Sequence, residues 1–191
     1  MAAATWEELR SALVGSVRLA KGDRGGLACF DRSLDGFWRS FLAAFLSYPF
    51  YLVLLTMRVS LAEWDAAGGV RIIVIETIGY VIAWVAFPLV MLPVTRWIGR
   101  EHRFFDFLVP YNWCQLPQSV LFVLVGLESE SGILGDPAAQ AIEVAAAIAV
   151  LVYEWYIARV ALETTGGGAM LVVVVDLVLG VVISRAAGSL Y

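Results

Sequence analysis

Histidine and cysteine are nearly missing from this 191-residue chain, which holds one histidine, His102, and two cysteines, Cys29 and Cys114. A single imidazole excludes HExxH and every histidine-rich metal site. Two cysteines in unlike contexts give no disulfide framework. No GxSxG, Walker A or GxGxxG pattern occurs, so neither a nucleophile elbow nor a phosphate cradle is present. Gly166-Gly167-Gly168 follows no strand and reads as a turn. No catalytic constellation, metal or cofactor is expected. Charge is sparse too: 16% of residues are charged against 61% hydrophobic, with a net charge of -4. A soluble domain carries about 25% charged residues and about 45–50% apolar ones. The balance excludes a water-soluble globular domain and a disordered chain. It also excludes a nucleic-acid partner, whose phosphates demand clustered Lys and Arg. Lysine is almost absent, with Lys21 beside 12 arginines. Together with abundant Ala, Val and Gly, that is the usage of a GC-rich bacterial genome.

What is plentiful is apolar sequence, at a mean hydropathy of +0.82. A bilayer core of about 30 Å needs roughly 20 apolar residues in a helix. Five windows qualify, over about 40–59, 70–97, 104–127, 137–162 and 168–187. The third is the most dilute, because Pro110, Asn112, Gln115, Pro117 and Gln118 interrupt it. The expected fold is therefore all-α: a polytopic membrane bundle of five transmembrane helices over residues 40–191, behind a cytoplasmic segment at 1–39. In that segment Thr5 and Glu8 fit a capping box. Trp6, Leu9, Leu13, Val17 and Ala20 then recur at helical spacing. The pattern predicts an amphipathic helix over about 5–21, lying on the membrane or packed on the protein's own loops.

Positive charge stays on the cytoplasmic side. With the N-terminus inside, ten basic residues fall inside and three, Arg58, Arg71 and Arg185, outside. The outer loops carry Glu63, Asp65, Glu128, Glu130 and Asp136. Trp38, Trp64 and Trp97 fall at span ends, as an aromatic belt requires. Five spans then leave Tyr191 on the exterior, or periplasmic, face of a bacterial inner membrane.

Charge inside a span costs about 2.5–3.5 kcal/mol at the helix centre. Glu76, Glu143, Glu154 and Asp176 must therefore face the bundle, pair, take up a proton or meet water. Counted from the cytoplasmic ends, Asn112, Glu154 and Asp176 lie at about 12–14 Å depth, at 1.5 Å per residue. Gln115 lies one turn further out. Glu76 and Glu143 form a second, outer layer. Glu143 and Glu154 stand three turns apart on one helix face. Asp176, Gly180, Ser184 and Gly188 make a small-residue stripe, and Ala141, Ala145 and Ala149 supply a partner-like ladder. These polar groups read as bundle glue, as a proton or ion path, or as a lipid or partner site. Arg159 stands one turn before Glu163, an expected interfacial ion pair, and could instead turn back to Glu154. Arg96, Arg100 and Arg103 in the inner loop are candidates for lipid headgroups.

The stretch Ile98-Gly99-Arg100-Glu101-His102-Arg103-Phe104-Phe105-Asp106-Phe107-Leu108-Val109-Pro110-Tyr111, with Pro117 beyond it, resembles the Yip-type (Ypt-interacting) membrane protein family. So does Trp155 through Leu162 followed by Gly166–Gly168, Ala169 and a Val-rich span. The resemblance extends over roughly residues 40–190. It implies a five-span helical membrane protein without enzymatic activity, acting as a scaffold, membrane-shaping or assembly factor, with a membrane-protein partner or a second copy of itself. Eukaryotic members contact small GTPases through an acidic, tyrosine-bearing N-terminus, which this chain lacks. The intramembrane carboxylates keep a second reading open, a small transporter or channel for protons or ions.

Overall fold

The computed structural model describes residues 6–191; Thr5, and with it the expected Thr5–Glu8 capping box, lies outside them. Among the described residues the chain is helical and has no strand. Helix α1 spans Trp6–Ala20, and a 3-10 turn follows at Arg24–Cys29. Helices α2, Leu34–Ser40, and α3, Leu42–Arg58, follow one another with a break only at Phe41. The short α4, Leu61–Ala67, leads into α5, Gly69–Trp97. Then come α6, Phe104–Ser131, α7, Asp136–Ala161, and α8, Gly166–Gly188.

Among the described residues, four stretches are long and apolar enough to cross a membrane: 34–58, α5, α7 and α8. They point to a multi-pass membrane protein. Helix α6 has the length, 28 residues, but its polar side chains leave it short of that hydropathy. Its place in the fold explains this. It is the inner helix, packed against α3, α7, α1 and α2. Phe107, Leu108, Val109, Tyr111, Asn112, Trp113 and Cys114 are all buried along it. A helix surrounded by protein need not be apolar, since its amides and hydroxyls find partners there.

Helix α1 meets the rest of the protein through its small residues. Its buried face is Ala12, Gly15, Ser16 and Leu19, not the larger stripe read from the sequence. That stripe points outward, with Trp6, Leu13 and Val17 exposed. Small residues win the inner face because α1 lies close against α6 and α7. There the Cys114 thiol donates to Ser16 Oγ at 3.4 Å, and the Tyr153 hydroxyl donates to the Ser16 carbonyl at 2.8 Å. The Tyr156 hydroxyl donates to the Gly22 carbonyl. Ion pairs complete the attachment. Arg39 holds Glu8 at 2.9 Å and also Asp31, while Arg32 reaches Asp106 at 3.1 Å.

The turn between α7 and α8 is closed by the Thr164 amide donating to the Arg159 carbonyl, 3.2 Å. This is a Schellman-type stop, which usually places glycine at the left-handed position. Here Glu163 occupies it, at φ 49°.

Candidate functional site

The polar residues of the apolar helices separate into two groups. The outer group centres on Glu76 of α5, which is 2% exposed. Its Oε2 accepts from the Tyr51 hydroxyl at 2.5 Å and pairs with Arg58 at 2.8 Å. Its Oε1 accepts from the Tyr191 hydroxyl at 2.6 Å. A buried carboxylate is tolerable when its lone pairs are filled in this way. Burial, and then the hydrogen bond to Glu76, push the Tyr191 phenol up to about 12. Arg71 donates to the Leu190 carbonyl at 2.6 Å, tying the same tail to α5.

The inner group surrounds a cavity of about 200 Å³ between α3, α5, α6 and α8. Asp176 lines it together with Asn112, Gln115, Ser119, Ser47 and Tyr111. Tyr80, Trp84 and Phe87 of α5 form its ring-bearing wall. The Asn112 amide donates to Ser40 Oγ at 2.9 Å, linking α6 to the end of α2. Two hydroxyls on this cavity, those of Ser47 and Tyr111, are buried and close no hydrogen bond. The Tyr111 hydroxyl lies within the electrostatic reach of Asp176 and Gln115, yet no contact meets bonding length and angle. Glu154 of α7, 6% exposed, interacts with Gln115 and with the charge of Asp176. No Lys, Arg or His forms an ion pair with Glu154 or Asp176 among the described residues.

Aromatic rings separate the two groups. Tyr48, Tyr51 and Tyr80 pack with centroids 4.7–6.5 Å apart. The Tyr80 hydroxyl donates to the Ala44 carbonyl, and the Tyr48 hydroxyl bonds Thr77 at 2.6 Å. These two bonds tie α3 to α5.

The remaining candidates lie elsewhere. Glu143 shares a face with Glu154 in sequence but is exposed, because little of the chain packs over the outer half of α7. Arg159 pairs with neither Glu163 nor Glu154; its guanidinium lies 5.1 Å from the Trp155 ring centroid. Glu163 pairs with Arg103 instead, since the left-handed backbone turns its side chain away from α7. Arg103 also holds Asp106 at 2.9 Å, so carboxylates already occupy this headgroup candidate. Arg96 pairs with Glu101 at 3.0 Å. Arg100 stands near Trp97 and the start of α8. The expected meeting of small-residue stripes does not occur: Gly180, Ser184 and Gly188, like Ala141, Ala145 and Ala149, are exposed. Helix α8 packs on both α5 and α7, and on the α5 side Gly79 faces Ala187 and Ile183.

Sequence reasoning missed Ser47, Tyr80, Trp84 and Tyr111. Hydroxyls and rings are ordinary in apolar helices, and only convergence from three helices marks these four. It also missed Glu128, assigned to an outer loop, whose carboxylate oxygens are buried without a hydrogen-bond partner. No group of His, Cys, Asp and Glu suited to a metal occurs among the described residues. No family model, no curated protein and no solved structure matches this chain.

Proposed function

We propose that the chain is a five-span, non-enzymatic integral membrane protein of the Yip type, acting as a scaffold, membrane-shaping or assembly factor. Its N-terminus is cytoplasmic and its C-terminus exterior. The fifth span is α6, and helix direction supports it. Phe37 meets Phe104 and Phe105, Ser40 meets Asn112, and Met57 meets Gly126. The stretch 34–58 and α6 therefore run side by side in the same sense. At 1.5 Å per residue the 28 residues of α6 extend about 42 Å. If 34–58 crosses the lipid, α6 crosses with it.

The observation that carries the scaffold reading is the tyrosine layer between the two polar groups. Conduction needs a wettable route through the membrane. Here the outer carboxylate is fully engaged, and Tyr48, Tyr51 and Tyr80 stand between it and the inner cavity. The outward stripe of α1, Trp6, Leu13 and Val17, suits the lipid interface. An apolar groove walled by Phe37, Trp38, Phe41, Leu89, Phe104 and Phe105 opens at the ends of α2, α5 and α6. It is the surface on which a membrane partner would be found.

Liposome flux and crosslinking test this together. Wild-type protein should move neither protons nor alkali cations. A photo-crosslinker at Leu89 should capture a defined partner or a second copy in native membranes. Flux that falls in both Glu154→Gln and Asp176→Asn would replace the scaffold by a transporter.

A further inference from the structure

The inner cavity has one carboxyl group in its lining, Asp176, and no cationic side chain. Asp176 has no ion-pair partner among the described residues, and Glu154 lies within its electrostatic reach. Charge of one sign away from water requires neutralisation by a proton or a cation. Two further groups are unfinished. The hydroxyls of Ser47 and Tyr111 belong to residues 2% and 4% exposed, and neither has a partner. Buried hydroxyls of this kind are rare without a reason. Both border the same cavity as Asp176.

The remaining wall says which cation fits. Tyr80, Trp84, Phe87 and Tyr111 line it; the Phe87 and Tyr111 rings stack on each other at 4.5 Å, and Tyr80 and Trp84 complete the aromatic wall. Ring faces attract ammonium groups, above all desolvated ones. A bare divalent ion would want six to eight oxygens at about 2.3–2.6 Å. The cavity of about 200 Å³ offers one carboxylate, and its other oxygens belong to neutral Ser, Tyr, Asn and Gln side chains beside an aromatic wall, so a divalent ion would stay half neutralised there. A small ammonium with its attached carbons fills both needs. The way in is sideways. Helices α3 and α5 scarcely approach at their backbones, and the half-buried Ala83 and Trp84 border the gap.

We propose that this cavity binds a small organic ammonium, with Asp176 as counter-ion, the Trp84 and Tyr80 rings as its wall, and the Ser47 and Tyr111 hydroxyls as polar contacts. The ammonium is that of a soluble amine or of an aminolipid headgroup. The proposal concerns occupancy rather than passage, so failure of the scaffold test leaves it standing.

Isothermal titration of the full chain in detergent with choline chloride, against sodium chloride at equal concentration, tests it. Saturable one-site binding of choline is expected, with no equivalent signal from sodium. Asp176→Asn should weaken it at least tenfold. Ala83→Phe, which keeps the charge but fills the gap, should do the same, and it decides the matter if the first variant does not fold. Glu143→Gln, exposed and outside the cavity, should leave binding unchanged. Equal response to sodium, absence of binding, or choline affinity unaltered in both cavity variants would overturn the proposal. Repeating the titration in phosphatidylglycerol vesicles with and without phosphatidylethanolamine separates the sources. Loss of choline binding in the second lipid identifies a headgroup, and persistence identifies a soluble amine.

Discussion

The Tyr191 hydroxyl donates to Glu76 Oε1 across 115 residues of sequence, 2.6 Å away. The same carboxylate holds Tyr51 and Arg58 through its other oxygen. One buried charge therefore fastens α3, α5 and the tail beyond α8. Tyr191→Phe should lower stability by about 1.5–3 kcal/mol, the range for hydrogen bonds to charged groups. Glu76→Gln should cost more, because it breaks the pair with Arg58 as well. The double variant should lose less than the sum, since both changes act on one carboxylate. Thermal unfolding in detergent checks the ranking. An equal effect of the two single changes would reject it.

A Cβ built on Gly36 would stand 1.8 Å from the Asp31 carbonyl oxygen. The Gly36 amide is also bonded by the Ser33 cap. Gly36→Ala must shift backbone, at about 1–3 kcal/mol as for other overpacking. Gly180→Ala, where nothing lies within 4 Å, should cost nothing. Limited proteolysis of the N-terminal segment should distinguish the two.

Glu163 combines a left-handed backbone with an ion pair to Arg103. Glu163→Gly relieves the first and removes the second, so stability should change by less than about 1 kcal/mol. Glu163→Val keeps neither advantage and adds a branched Cβ at positive φ, which should cost about 2 kcal/mol. Equal melting temperatures for the two variants would remove the backbone argument.

Acid should loosen the N-terminal segment before the bundle. The Ser33 side chain and amide, then the Arg39 guanidinium, hold the Asp31 carboxyl below its ordinary value despite its slight burial. Arg18, then the Gly25 amide, do the same for Asp23. Both groups bind protons more weakly folded than unfolded. Their stabilisation is full above the unfolded value near about 3.9 and is lost as pH falls through the lower folded values. Amide exchange over 6–40, corrected for intrinsic rates, should rise below about pH 4 while α6 stays protected. Uniform loss across the chain would contradict this order.

The proposed fifth crossing by α6 would put the two ends on opposite sides of the membrane. A tag before Trp6 should resist labelling in intact cells, and one after Tyr191 should accept it. Equal labelling would leave an even number of spans and remove α6 as a crossing helix.

The apolar runs fixed where the long helices lie to within a few residues, because hydropathy acts locally along the chain. The expected window 70–97 and α5, Gly69–Trp97, nearly coincide. Partner choice was less readable. Glu143 and Glu154 share one face in sequence, yet one is exposed and the other buried. Periodicity says which residues lie together on a helix, not where neighbouring helices stop covering it. Arg159 illustrates the same limit, since i, i+4 spacing offered Glu163 while the reversed backbone gave that carboxylate to Arg103.

The amino-acid sequence alone determined a helical chain rich in membrane-length apolar segments, because composition and period report on solvent and local backbone. Tertiary structure alone decided that α6 sits innermost and that small residues form the buried face of α1. It also decided that Asp176 shares one cavity with the Ser47 and Tyr111 hydroxyls and an aromatic wall. Those outcomes depend on which helices approach one another, and the energy of that approach is spread over residues far apart in the chain.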